Sequence, residues 1–188
     1  MKKLSNLMID IETLGTGTDA AILAIAAVYF DPKTGELGDE FYTNVNLQSN
    51  LNGRRSVDAS TMIWWMQQEE AARNEVFGLN HKAPSLTEAL TMFKEFVEFE
   101  SVKVWGNGSG FDITILETAF KLTKQLPPWK FWNIRDVRTA VELGKLLDFD
   151  PKKDMPFEGV KHNALDDSKH QAKYVSAIFS QIANASEF

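Results

Sequence analysis

The sequence predicts an α/β domain in which a central mixed sheet of five to six strands is flanked by helices. Its first part contains continuous apolar runs, which are typical of strands buried on both faces. Its later part contains segments with helical hydrophobic periodicity, and strand-like runs recur between them. The chain has 188 residues, 44% of them hydrophobic, so we expect one domain over residues 1–188 with a packed core at about 5–183.

Three strands are predicted at the beginning of the chain. Apolar runs occupy residues 7–11 and 21–30, and a glycine turn at 15–17 separates them. Residues 31–35, Asp-Pro-Lys-Thr-Gly, form a strong turn signal before a third strand at 41–45. Because short turns join antiparallel strands, the sheet is expected to begin antiparallel.

Two amphipathic helices are predicted next. Asp58 is a candidate N-cap for a helix in which Trp65 shares the core face with Met62 and Met66. Residues 85–88, Ser-Leu-Thr-Glu, form a capping box that begins the following helix.

The remaining elements alternate between strands and helices. Residues 102–105 predict a fourth strand and residues 131–134 a possible fifth. Helices are expected to begin at Asp112, to cover residues 137–147, and to run from about residue 164 to residue 182. The last helix is expected to pack on the sheet because its apolar residues recur at helical spacing, namely Val175, Ile178, Phe179 and Ile182.

Composition narrows the possible chemistry. The chain has no cysteine, which excludes disulfides, thiolate metal sites and cysteine nucleophiles. Its formal charge of −6 argues against a broad basic surface for nucleic acid, but it is compatible with carboxylates that hold divalent ions. Acidic residues occur within the first ten positions, so we expect no signal peptide, no membrane span and a cytoplasmic protein.

Two carboxylates lie on the first predicted strand. Asp10 and Glu12 are two residues apart, so their side chains project from the same face of an otherwise apolar element. Desolvated carboxylates require a partner, and hard oxygen ligands at this spacing suit Mg²⁺ or Mn²⁺. The alternative is an exposed strand end at which both acids are solvated.

A third acid follows a glycine-rich segment. Residues 106–110, Gly-Asn-Gly-Ser-Gly, end the fourth strand and allow the backbone to approach a ligand or to turn sharply. Asp112 then begins a helix, where capping alone would also account for an aspartate.

A histidine and an aspartate flank the beginning of the last helix. Of the three histidines, only His162 is followed five residues later by an aspartate, Asp167. Both can reach back to the sheet edge against which that helix packs. Taken alone, Asp167 is equally consistent with a favourable position in the helix dipole, which Asp166 would also provide.

In this order the motifs resemble those of the DEDDh 3'-5' exonucleases, which belong to the RNase H-like (DnaQ-like) superfamily. The matching segments are residues 9–13, 106–112 and 162–167. Residues 64–68, followed by 72–73, and residues 135–139 are also similar to segments of the phage DexA and RNase AS-like subgroup. One departure is a glycine where many relatives have a histidine before the asparagine of the second motif.

The resemblance implies an RNase H-like fold and hydrolysis of DNA or RNA from a single-stranded 3' end, with release of 5'-mononucleotides. It implies that Asp10, Glu12, Asp112 and Asp167 are catalytic residues that bind two Mg²⁺ or Mn²⁺ ions, with Asp10 between the ions. It also implies that His162 is the general base, since an imidazole can take up a proton near neutral pH.

Further residues are candidates for contacts with the substrate. Thr13, Leu14, Asn107 and Trp64 are expected to bind the terminal nucleotide, and Trp64 is expected to stack on a base. Five arginines are candidates either for phosphate binding or for an ordinary charged surface: Arg54, Arg55, Arg73, Arg135 and Arg138.

Two other functions are compatible with the sequence. A metal-dependent endonuclease can be built on the same fold, because a fold alone does not decide function. A nucleic-acid-binding module without turnover is the alternative from another class. A homodimer is expected if exposed aromatic side chains form an apolar patch.

Overall fold

A five-stranded mixed sheet forms the centre of the fold. The computed structural model describes residues 4–97 and 99–185, so both ends of the predicted domain lie outside the described residues. In chain order the strands are β1 (Asn6–Thr13), β2 (Ile22–Phe30), β3 (Leu37–Asn44), β4 (Lys103–Gly106) and β5 (Ile134–Asp136). They lie in the order β3-β2-β1-β4-β5. The first three strands are antiparallel and β4 and β5 run parallel to β1, which confirms the predicted mixed sheet.

Helices surround this sheet. Within the described residues they are α1 (Leu47–Asn52), α2 (Ala59–Met66), α3 (Glu70–Phe77), α4 (Leu86–Phe96), α5 (Asp112–Leu122), α6 (Val137–Lys145), α7 (Pro151–Asp154) and α8 (Ala164–Ala185). The predicted capping box begins α4, where the Ser85 backbone N–H donates to the Glu88 carboxylate over 2.8 Å. Across the described parts of the chain, no helix has both the length and the apolar character needed to cross a membrane.

The sheet separates two helical layers. Leu7, Ile9 and Ile11 of β1 pack on one face with residues of α4 and α5. Met8 packs on the other face with residues of α6 and α8. Because side chains alternate along a strand, Asp10 and Glu12 belong to the face that α8 covers. The two acids of the first motif are therefore brought to the helix that carries the third motif.

The apolar stripe of α8 packs on the sheet only in part. Val175 and Ile178 are fully buried, as predicted. Phe179 and Ile182 remain 37% and 38% exposed, and Phe179 meets the Trp105 ring edge-on at 6.1 Å between centroids. The helix is therefore anchored to the sheet by its middle turns, while its first turns lie beside the end of β1 that carries the acids.

The prediction of a strand over residues 131–134 is wrong for the first three of them. Phe131–Asn133 forms a 3₁₀ turn, and the Asn133 N–H donates to the Lys130 carbonyl over 2.9 Å. Strand β5 begins only at Ile134. Phe131 and Trp132 are 77% and 61% exposed, so this apolar run does not belong to the core.

Helix α2 differs from its prediction in two respects. Asp58 lies at the N-cap position, but its carboxylate does not cap the helix and instead accepts a backbone N–H from the turn after β1, over 3.0 Å. Trp65 is buried as predicted, whereas Met62 and Met66 are 47% and 73% exposed, so the predicted shared core face is wrong. Trp65 is held inward because its indole N–H donates to the Thr13 carbonyl over 2.9 Å.

A buried amide ties α1 to the beginning of β2. The Asn50 side chain is fully buried and bonds both backbone groups of Ile22, each over 3.0 Å. We expect Asn50→Ala to lower the free energy of unfolding by about 2 to 4 kcal/mol, because it leaves a buried N–H and a buried carbonyl unpaired. Urea unfolding measures the loss. Asn52→Ala, an exposed position on the same helix, is the control and should change stability by less than about 0.5 kcal/mol.

Candidate active site

Three carboxylates meet where β1 ends and α8 begins. Asp10, Glu12 and Asp167 each present one oxygen, and these oxygens lie within 4.8 Å of one another. Asp167 is placed by the start of α8, where the Asn163 side-chain oxygen accepts the second and third backbone N–H groups of the helix over 3.0 and 3.1 Å. The strand-face argument and the position of the last motif are both consistent with this cluster.

Asp112 lies beside these three acids and is almost fully buried at the beginning of α5. The glycine at position 106 makes room for it, because a β-carbon there would lie 3.2 Å from the Asp112 Oδ2 atom. The Ile11 backbone N–H donates to Asp112 Oδ1 over 3.4 Å, across from β1 to α5. Asp112 does not belong to the 4.8 Å cluster, but its charge acts directly on Asp10.

His162 is held at the edge of the cluster. Its backbone lies in the left-handed region, with φ at +64°, which is uncommon for a residue with a β-carbon. The His162 backbone N–H donates to Asp167 Oδ2 over 2.9 Å. The imidazole meets the Trp64 ring edge-on, with 4.9 Å between the ring centroids. The structure therefore brings His162 together with the acids that the sequence grouped with it.

Burial raises the pKa values of all four carboxyl groups, and the charges of neighbouring acids add to this effect at Asp10 and Glu12. Burial, followed by the charges of Asp112 and Asp167, raises the pKa of Asp10 well above its ordinary value. Burial, followed by the charge of Asp10, has the same effect on the pKa of Glu12. Burial raises the pKa of Asp112 to about 7, and it also raises the pKa of Asp167. Without a nearby positive charge, simultaneous ionisation of all four carboxyl groups is therefore unfavourable.

A divalent cation fits this donor set. Carboxylate oxygens are the ligands that Mg²⁺ and Mn²⁺ prefer, and a cation would offset the repulsion between them. The Gln171 side chain donates to Asp10 Oδ1 over 2.8 Å, while its own Oε1 is buried without a partner among the described residues. A hydration water of a bound cation would satisfy such an acceptor. The acidic group could therefore hold a metal.

Comparison with known proteins identifies the family. Residues 5–179 match the family described as the 3'-5' exoribonuclease Rv2179c-like domain. The chain belongs to this family. It is accordingly a 3'-5' exonuclease that acts on nucleic acid, as the order of its motifs predicted.

Individual proteins are similar to this chain in sequence or in fold. An exodeoxyribonuclease of Enterobacteria phage T4 is 27% identical over an alignment that covers 73% of this chain and 70% of the phage protein. The nuclease domain of 3'hExo, a DEDDh member bound to rAMP, has a TM-score of 0.60 at 17% identity, covering 96% of this chain and 92% of that domain. E. coli exonuclease I, in complex with a dA16 oligonucleotide, has a TM-score of 0.69 at 12% identity, covering 95% of this chain and 41% of that protein. This chain has the same RNase H-like fold as both of these solved structures.

Sequence reasoning missed the part that two residues have in this site. Gln171 lies one helical turn after Asp167, and this polar position within a helix that packs on the sheet was an available signal. Arg138 was considered only for phosphate or surface roles, but its charge lowers the pKa of the nearby Asp112. The Arg138 guanidinium packs against Gly108, whose φ is +100°. A β-carbon at that position would lie only 3.1 Å from the guanidinium. No local pattern reveals this contact, because it joins α6 to the loop after β4.

The four predicted substrate contacts lie in different settings. The Thr13 hydroxyl donates to the Gly15 carbonyl over 2.7 Å. Leu14 lines a cavity of about 580 Å³ between β1, α2 and α3. Asn107 has a buried Oδ1 without a hydrogen-bond partner within the described chain, and Trp64 is 40% exposed. Their contacts with a nucleotide remain predictions.

Arg55 has neither of the roles considered from the sequence. It is 5% exposed, its Nε donates to the Ala20 carbonyl over 2.8 Å, and its Nη2 donates to the Ile115 carbonyl over 3.3 Å. It therefore joins the turn before β2 to α5. Arg135 donates to two carbonyls at the 3₁₀ turn before β5.

The raised pKa of Asp112 predicts how stability depends on pH without a divalent cation. The pKa lies near 7 in the folded protein and near 4 in the unfolded chain. The folded protein therefore holds the Asp112 proton more tightly, and the stability that this provides is complete below about pH 4 and is lost as the pH rises through about 7. In a chelator, we expect Asp112→Asn to become more stable than the wild type by a few kcal/mol as the pH rises from about 5 to about 8. Thermal unfolding across this range measures the difference.

The same measurement with Mn²⁺ provides the control. Because metal ligands must be deprotonated, Mn²⁺ should raise the Tm of the wild type more at about pH 8 than at about pH 6, and it should raise that of Asp112→Asn less. An equal Tm for both proteins at every pH in the chelator would contradict the electrostatic account of Asp112.

Proposed function

We propose that this protein hydrolyses phosphodiester bonds from the 3' end of a single-stranded nucleic acid by a two-metal mechanism with His162 as the general base. The observation that carries the proposal is the convergence of Asp10, Glu12 and Asp167 within 4.8 Å, with the buried Asp112 beside them. Divalent cations would offset the repulsion among these four neighbouring carboxylates and would account for their burial in one place. We assign all four as ligands of two Mg²⁺ or Mn²⁺ ions.

The chain's own residues would have distinct parts in the reaction. Asp10 is oriented by the Gln171 amide, and Asp167 is oriented by the His162 backbone N–H. When bound, the divalent ions would activate water and neutralise charge that develops on the phosphate and the leaving oxygen. The His162 imidazole takes the proton from the attacking water.

The products follow from the bond that breaks. The water oxygen attacks the last phosphorus, and the bond from phosphorus to the 3' oxygen of the preceding nucleotide is cleaved. The released nucleotide keeps its phosphate as a 5'-mononucleotide, and the shortened strand ends in a 3' hydroxyl. Each turnover therefore regenerates the end that the next one requires.

The relatives support a nucleic-acid 3' end as the substrate, but they do not distinguish RNA from DNA. The family is described as exoribonucleases, and 3'hExo holds rAMP. The phage relative is described as an exodeoxyribonuclease, and exonuclease I holds a DNA oligonucleotide. We propose that Thr13, Leu14 and Asn107 bind the terminal nucleotide of either kind of strand, whereas the ring of Trp64, the fourth predicted contact, lies against His162.

A digest of matched strands tests this proposal. Single- and double-stranded DNA and RNA of the same sequence, labelled at the 5' end, are incubated with Mg²⁺ or Mn²⁺. We expect a ladder of labelled strands that shortens from the 3' end, together with free 5'-mononucleotides. A circular single strand should remain intact. Cleavage of the circle would indicate an endonuclease, and binding without turnover would indicate a module that only binds nucleic acid.

A further inference from the structure

The imidazole of His162 is contacted by the ring of Trp64. The Trp64 and His162 ring centroids lie 4.9 Å apart, and the ring planes cross at 81°. This is an edge-to-face arrangement, which is favourable for aromatic pairs. Trp64 is 40% exposed, so it reaches His162 from a helix at the surface.

Trp64 is itself fixed relative to the acidic cluster. It meets the neighbouring Trp65 ring edge-on, with 5.1 Å between centroids and 77° between planes. Trp65 is buried and donates its indole N–H over 2.9 Å to the carbonyl of Thr13, which directly follows Glu12 on β1. A continuous series of contacts therefore runs from the strand end that carries Glu12, through the two tryptophans, to the imidazole.

The backbone hydrogen bond to Asp167 does not orient the imidazole by itself. It fixes the His162 N–H, but the ring can still rotate about the two side-chain bonds. Proton transfer requires the accepting nitrogen to lie within hydrogen-bond reach of the water, in the correct direction. A second contact on the ring is needed to keep that geometry.

We propose that Trp64 is a positioning residue that holds the His162 imidazole in the orientation needed to take a proton. The inference rests on the proposed role of His162 as the general base. It assigns Trp64 a part that differs from stacking on a nucleobase. Trp64 then acts on the chemical step through His162, and nucleotide binding depends little on it.

A double-mutant cycle with His162 tests the proposal. Trp64→Ala should lower kcat by about 10- to 100-fold, the scale of loss expected from a small misplacement of a catalytic group, while KM changes by less than about 3-fold. In the His162→Ala background, Trp64→Ala should cause no further loss of kcat, because the group that it positions is already absent. Trp64→Phe keeps an aromatic edge and should restore most of the lost kcat.

Ile63→Ala is the matched control, since Ile63 is the preceding residue of α2 and is 56% exposed. Its kcat and KM should equal those of the wild type, and thermal unfolding should show that every variant is folded. Losses that add in the double variant, or a change in KM with kcat preserved, would overturn the positioning role and leave the proposed function intact. Full activity of His162→Ala would overturn the assigned general base and this inference together.

Discussion

Asp10→Asn is expected to lower the rate of nucleotide release by about 1,000-fold or more, equivalent to roughly 4 kcal/mol of lost transition-state stabilisation. The charge of Asp10 is felt by acids of both other motifs, because burial and the charges of Asp112 and Asp167 raise its pKa. Asparagine has nearly the same shape but removes the charge that a divalent cation requires. Release of labelled mononucleotides from a single strand measures the loss.

The fold should survive this substitution. An asparagine oxygen can still accept from the Gln171 amide, and removing a charge relieves repulsion within the cluster, so in a chelator the Tm should be at least that of the wild type. Asp39→Asn makes the same chemical change at an exposed position of β3 and should keep wild-type activity. Wild-type turnover by Asp10→Asn would remove Asp10 from the metal site.

His162→Ala is expected to lower kcat by on the order of 100- to 10,000-fold, the usual contribution of general acid-base catalysis. The loss should fall on kcat and leave KM nearly unchanged, because the imidazole is proposed to act in the chemical step and not in binding. Metal binding should be preserved, since the carboxylates are unchanged. Steady-state kinetics with saturating Mn²⁺ measures kcat and KM.

His81→Ala is the matched control for this variant. His81 is exposed on the 3₁₀ turn Asn80–Lys82, so its removal should leave both kcat and KM unchanged. If His162→Ala kept the kcat of the wild type, the histidine would have no part in proton transfer.

Periodicity in the sequence predicted most of the elements that build the site. The two-residue period of β1 placed Asp10 and Glu12 on one face, and the end of the last predicted loop placed Asp167 at the start of α8. The strand prediction was wrong at residues 131–133 because apolar composition does not reveal exposure, and Phe131 and Trp132 are exposed in the turn before β5. The core positions predicted for Met62 and Met66 were wrong for the same reason, since α2 is a short helix at the surface.

The contacts that tune the site depend on tertiary structure and were beyond local patterns. Arg138 reaches Asp112 from α6, and Trp64 reaches His162 from α2. The Gln171 contact with Asp10 joins residues that are 161 positions apart in the chain. A single domain over the whole chain, a cytoplasmic location and a homodimer remain predictions.

Shortening of a 5'-labelled single strand, before and after removal of divalent cations, tests the central claim most directly. The account predicts that the wild type shortens the strand from its 3' end in Mg²⁺ or Mn²⁺, stops when the ions are chelated, and resumes when Mn²⁺ is restored. Asp10→Asn should remain inactive throughout. Undiminished shortening in the chelator would contradict a metal-dependent exonuclease built on these four carboxylates.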